Sequence, residues 1–210
     1  MGSRERRNRE RADTRQRILD AARDLFVLKG YEATTMRAIA DRIEYTPTAI
    51  YHHFRNKESL LVELCIADFR SLAQAFQRIG RVEDPIERLR RIGLAYVDFA
   101  LAHPMHYQTM FMIARPVVSP DAKLEAHADP GEDAYGFLKA TCEEAIAKEL
   151  LRPECRDADE LAQMVWSAVH GLVSLNIIHT HDEWLEWRDV RSTASRICDS
   201  LLRGLVAASR

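Results

Sequence analysis

A chain of 210 residues is long enough for one large domain, or for a small one joined to a larger one. Hydrophobic residues make up 47% and charged residues 30%, the balance of a soluble, well-packed fold. Cys65, Cys142, Cys155 and Cys198 are scattered without a CxxC pair, which speaks against a disulfide framework and for free thiols in a reducing cytosol.

The net charge of −2 is unevenly spread: residues 1–60 hold 13 Lys/Arg against 9 Asp/Glu, and residues 61–210 hold 17 against 23. Phosphate-seeking charge therefore sits at the N-terminus. The Arg-rich first seventeen residues show no secretory pattern. The longest apolar run, Met164 to Ile178, is interrupted by Ser167, His170, Ser174 and Asn176, too short and too polar for a membrane span. A cytoplasmic protein without a membrane partner is expected.

In chain order, residues 1–12 read as a flexible basic arm carrying Arg4, Arg6, Arg7, Arg9 and Arg11. It is either a solvated tail or a source of phosphate and minor-groove contacts. A first helix is predicted from Asp13, with Gln16 in capping-box spacing, to Gly30, its stripe formed by Ile18, Ala22, Leu25 and Phe26. A second runs from about Thr35 to Ile43. Thr46 caps a third, Pro47 takes its first position, and it runs to about Phe54. Asn56 opens a long fourth helix ending near Ile79.

After Pro85 a fifth helix runs to His103-Pro104, and a short segment, Met105 to Ala114, follows. Residues 115–131 contain three prolines and read as a loop. Helices are then predicted from about Glu132 to Leu150, from Asp157 to His179, and from Asp189 to Ala208. Spacings of three and four recur throughout and strand alternation is absent, so the fold is all-α. The expected organisation is the arm at 1–12, a helix-turn-helix domain at 13–56 and a helical companion at 57–210.

The segment Thr34 to Lys57 points to function. Ile50 and Phe54 share the inner face of the third helix, leaving Thr48, Tyr51, His52 and Arg55 on its flank and free face. Those groups suit base edges and phosphates, or form an ordinary polar surface. Lys57 stands in the first turn of the fourth helix, where the dipole disfavours a cation unless a phosphate docks there.

Phe26, Gly30, Tyr31, Thr34, Thr35, Ile39, Ala40, Ala49, Ile50, Tyr51, His53, Phe54, Lys57, Leu60 and Leu61 resemble the N-terminal domain of the TetR family of bacterial transcriptional regulators. The resemblance implies a nine-helix fold that binds operator DNA as a dimer and is released by a small-molecule effector. By position it implies that Thr46, Pro47, Thr48, Ala49, Tyr51 and His52 face DNA, and that Thr35, His53 and Lys57 lie near phosphates. One departure is Glu44, at a turn position where the family usually has Gly. A left-handed backbone there costs Glu about 1–2 kcal/mol relative to Gly.

The run around Met164 to Ile178 is apolar nearly all round, and Gly171 permits close approach, which suggests an interface or a core helix. The resemblance implies homodimerisation through a four-helix bundle of the last two helices. Trp166, His170 and Gly171 resemble the motif of the Trp-His-Gly subgroup of these C-terminal domains. With Phe99, Tyr107, Met110, Phe111 and Phe137, Trp166 and His170 either line an apolar effector pocket or are plain core. His103 with His106, and His179 with His181, give no clean ligand set, so neither metal nor cofactor is expected. No phosphate loop, nucleophile elbow or HExxH motif is present, and an enzyme is not expected. The competing reading is a helical ligand-binding or interaction module whose DNA binding has been lost, for which Glu44 leaves room.

Overall fold

Nine α-helices and no β-strand are found among the residues described by the computed structural model, 3–113 and 133–207. They are α1 (Ser3–Lys29), α2 (Met36–Arg42), α3 (Pro47–Tyr51), α4 (Lys57–Gln77), α5 (Pro85–Ala102), α6 (Pro104–Phe111), α7 (Ala134–Ala147), α8 (Ala158–His179) and α9 (Val190–Leu205). The expected loop at 115–131 lies outside the described residues.

Local chemistry accounts for most boundaries. Thr35 accepts from the Ala38 amide at 3.1 Å and Thr46 from the Ala49 amide at 3.2 Å, so each satisfies an orphan donor of its helix. Before α4, Asn56 Oδ1 accepts from the Ser59 amide at 2.8 Å while Ser59 Oγ accepts from the Asn56 amide at 3.3 Å. Asp84, Asp133, Asp157 and Asp189 cap α5, α7, α8 and α9. Gly30, at φ 82, ends α1.

The start of α1 differs from expectation. The helix begins at Ser3, and Asp13 lies inside it. Gln16 reaches forward to Asp20 Oδ1 at 2.9 Å rather than back to a cap. Arg and Glu are strong helix formers, and an Arg6–Glu10 pair at 3.6 Å adds one-turn support. The segment expected as a separate arm is therefore helical from Ser3, with residues 4–12 exposed.

The chain divides into two compact units. Of the described residues, the first takes those up to Asp68 and from Met105 to 113, and the second takes 69–104 and 133–207. The division falls within α4, after Asp68, rather than at the expected 56/57 boundary. In the first unit Ile18, Ala22, Phe26, Ile39, Ile50, Leu60 and Leu64 are almost fully buried. Thr34 is buried among them and donates its hydroxyl to the Gly30 carbonyl at 2.8 Å.

The second unit is a bundle of α5, α7, α8 and α9 around Leu89, Ile92, Val97, Leu138, Cys142, Val165, Val169, Val173 and Leu202. A Cβ at Gly93 would stand 2.8 Å from Cys198 Sγ, so α5 and α9 meet there closely. An isolated antiparallel bridge, Leu151 to Val206, ties the end of α9 to the segment after α7. α8, at 22 residues, is long and apolar enough to cross a membrane by length and composition. The 15-residue run seen in the sequence is thus only part of it. One face, carrying Leu161, Val165, Val169 and Val173, is buried within the unit.

Candidate nucleic-acid interface

The turn between α2 and α3 sets the geometry of the first unit's outer face. Tyr45 N donates to Ala40 O at 2.9 Å and Glu44 N to Asp41 O at 3.3 Å, the paired bonds of a Schellman motif. Glu44 occupies the left-handed position, at φ 61. The turn keeps the shape expected with Gly and holds the acidic side chain out in solvent. Glu149, at φ 55 after α7, ends its helix the same way; no feature of the sequence marked it.

On α3, Ile50 and Phe54 are buried, while Thr46, Thr48, Tyr51, His52 and Arg55 are exposed and Pro47 and Ala49 half-buried. Tyr51 is 55% exposed. The helix ends at Tyr51 rather than Phe54, although Phe54 N still bonds to Ile50 O at 3.0 Å. Thr35 is exposed, with its hydroxyl committed to the α2 cap.

Two arginines that the sequence reading did not single out brace this face. Arg15 donates Nη1 to His53 O at 2.7 Å and Nε to Glu63 at 2.8 Å, and its guanidinium lies 4.2 Å from the centre of the Phe54 ring. Arg17 donates to Ile43 O at 3.4 Å and sits 5.4 Å above Tyr45. No local spacing marks them, because their partners lie 26 to 48 residues away in the sequence.

Lys57 does not project freely from the start of α4. Its ammonium donates to Tyr31 O at 2.6 Å and lies 4.1 Å from the centre of the Tyr31 ring. Those carbonyl and cation–π contacts offset its unfavourable position at the helix N-terminus.

His53 lies beside a cavity of about 400 Å³ lined by Glu10, Arg11, Thr14, His52 and His53. Burial pushes its pKa below the ordinary 6.5, and the cations Arg11, Arg15 and His52 push it the same way. Its Nδ1 is buried without a partner. The long α1 thus brings Arg11 to the end of α3, which the reading of residues 1–12 as an arm did not anticipate.

The candidate effector residues fall into both units. In the first, Tyr107 and Met110 are fully buried and Tyr107 packs on Phe111 at 5.0 Å between ring centres. In the second, Trp166 meets His170 edge-on at 5.8 Å, Phe99 packs on His103, and Phe137 on Phe76. Tyr96, on α5, places its hydroxyl 2.8 Å from His170 Nδ1. Burial lowers the pKa of His170, favouring the neutral ring. Tyr135 packs against Trp166 and donates to Asp159 at 3.0 Å.

Of the other histidines, His106 Nδ1 contacts Asp68 and His179 Nδ1 contacts Asp182, at 2.8 and 2.7 Å. Among the described residues no group of three or more His, Cys, Asp or Glu side chains is placed to hold a metal.

A short helix presented on a tight turn, its outer face polar and its inner face buried, defines a helix-turn-helix protein. The comparisons carry this to a family. Residues 18–64 match the bacterial regulatory proteins of the tetR family, and residues 89–207 match the tetracyclin repressor-like C-terminal domain. The chain belongs to the TetR family of transcriptional regulators, which are not enzymes. It is 33% identical over 90 residues to the transcriptional regulator UidR of Escherichia coli, covering 43% of this chain and 40% of that protein. It is 37% identical over 76 residues to the transcriptional repressor AcnR of Corynebacterium diphtheriae, covering 36% and 40%. These matches span well under half the length of the curated relatives. The crystal structure of the TetR family regulator PfmR from Thermus thermophilus aligns over 91% of this chain and 97% of that one, with 27% identity and a TM-score of 0.72.

Proposed function

We propose that the chain is a cytoplasmic, homodimeric regulator that binds palindromic double-stranded operator DNA through α3 and is released by a small apolar or aromatic effector. The observation that carries this reading is the outer face of α3, with Thr46, Thr48, Tyr51 and His52 exposed on a rigid turn. Those side chains would meet base edges, with Pro47 and Ala49 against the groove. Thr35, His53 and Lys57 would lie nearest phosphates. Lys57 would then act from its seat on Tyr31, as a fixed cation rather than a searching one.

Dimerisation is supported by the free face of α8. Met164, Leu175 and Ile178 are large, apolar and exposed, and a Cβ at Gly171 would meet nothing within 4 Å. A partner covering this face and its neighbour on α9 would remove that apolar surface from water. Two-fold symmetry would set the reading helices about 34–36 Å apart, one DNA turn. The effector would act by favouring a spacing of the two heads that does not fit the operator. We place its polar contact at the Tyr96–His170 pair beside Trp166, and on Trp166, His170 and Gly171 we assign the chain to the Trp-His-Gly subgroup.

The left-handed turn at Glu44 favours DNA binding over its loss, because the turn that presents α3 is formed. Selection of bound fragments from genomic DNA tests the reading. Recovery of a palindromic site supports it, and products encoded beside that site are then assayed as releasing ligands. Recovery of no sequence above background counts against it.

A further inference from the structure

Inside the first unit, one carboxylate oxygen serves two partners while its twin has none. Asp68, on α4, is 2% exposed, and Arg23, on α1, is 9% exposed. Arg23 donates Nη2 to Asp68 Oδ1 at 2.6 Å, and His106 Nδ1, on α6, lies 2.8 Å from the same Oδ1. A carboxylate oxygen only accepts, so Nδ1 of His106 carries the proton. Asp68 Oδ2 and Arg23 Nε are both buried without a hydrogen-bond partner. Asp20 approaches the other side of the guanidinium, Nη1, at 3.6 Å.

Guanidinium and carboxylate groups pair best through two parallel bonds. The two orphaned atoms are a donor and an acceptor that such pairing would join. A buried network left one bond short is poised between arrangements. We propose that His106 is a positioning residue: its Nδ1–H holds Asp68 in one-point contact with Arg23. Withdrawal of His106 lets the carboxylate turn and take Arg23 through both oxygens, which reseats α1 against α4. Because α1 also carries Arg15 and Arg17, which brace α3 and its turn, the Arg23–Asp68 pairing bears on the placement of the reading helix. The seating drawn here, with His106 engaged, is the one that binds DNA. This rests on the DNA-binding reading above.

The test uses the full chain as wild type, His106→Ala and His106→Asn, whose amide can donate from the place of Nδ1. The Arg23 Nε–H signal in nitrogen-15 NMR, assigned by its loss in Arg23→Lys, moves downfield in His106→Ala, where Nε–H gains a carboxylate acceptor. Affinity for the DNA fragments recovered by the wild type falls about tenfold or more in His106→Ala, with helix content retained. His106→Asn restores both readouts. An unchanged Nε–H signal in His106→Ala overturns the proposal, as does a changed signal with unchanged DNA affinity. Failure of His106→Asn to restore either readout also overturns it, since packing rather than the donor would then be at work. A wild type that recovers no DNA defeats the DNA-binding reading instead, and the Nε–H signal still decides the re-pairing.

Discussion

Glu44 concentrates the tension between sequence preference and fold at one residue. It sits at φ 61, where an L side chain is strained and Gly is not. Glu44→Gly should therefore raise stability by up to about 1 kcal/mol, the relief of strain being partly offset by the freer unfolded chain. Urea denaturation measures it, and DNA affinity should hold or improve because a carboxylate leaves the side proposed to face phosphates. At His53 the pertinent variable is pH. Its pKa lies below 6.5 in the free protein through burial and through Arg11, Arg15 and His52, so the ring is neutral at pH 7. A nearby phosphate raises the bound-state value, so binding takes up a proton and DNA affinity should climb as pH falls from 7 toward the free value. For folding the sign is opposite: the lowered pKa stabilises the neutral ring, and that contribution fades as pH falls below 6.5. His53→Gln should flatten the affinity profile, read by anisotropy from pH 5.5 to 8.

Between elements, what could be read early and what could not divides by sequence distance. Thr46 and Asn56 were legible as caps because each serves an amide three residues away, and Thr35, Asp157 and Asp189, expected only as approximate helix starts, cap in the same local way. The polar face of α3 was legible because helical period alone places Ile50 and Phe54 opposite it. The support beneath that face was not: Arg15 to Glu63, Lys57 to Tyr31 and Arg23 to Asp68 join residues far apart in the chain. The start of α1 was misplaced because a good capping pattern at Asp13 outweighed a run of helix-forming Arg and Glu. At α8 the expected interface yields a direct prediction. Leu175 and Ile178 are 53% and 57% exposed, so charge there costs the isolated protomer little. Leu175→Glu with Ile178→Glu should halve the mass seen by sedimentation while leaving helix content unchanged. A wild type that is already a monomer, or a double variant that stays dimeric, would refute the bundle.

At the scale of the whole molecule, the positive excess of residues 1–60 and the negative excess of the remainder fall on different parts of one chain. The cationic side chains of α1 and the free face of α3 belong to the first compact unit, and the apolar faces of α8 and α9 to the second. Such a division suits a protein that reads an anionic polymer with one unit and pairs with itself through the other. Only paired heads would discriminate a palindrome, because two half-sites multiply their affinities. The central claim is that the outer face of α3 reads DNA, and one salt titration tests it most directly. Affinity for the recovered duplex is measured for the wild type and for Tyr51→Ala with His52→Ala. The account predicts that wild-type log K falls linearly with log salt, with a slope near −0.9 per phosphate contact. It also predicts that the double variant loses about tenfold or more against the specific site while binding random DNA much as before. Equal affinity of variant and wild type for the specific duplex, or binding indifferent to salt, would contradict it.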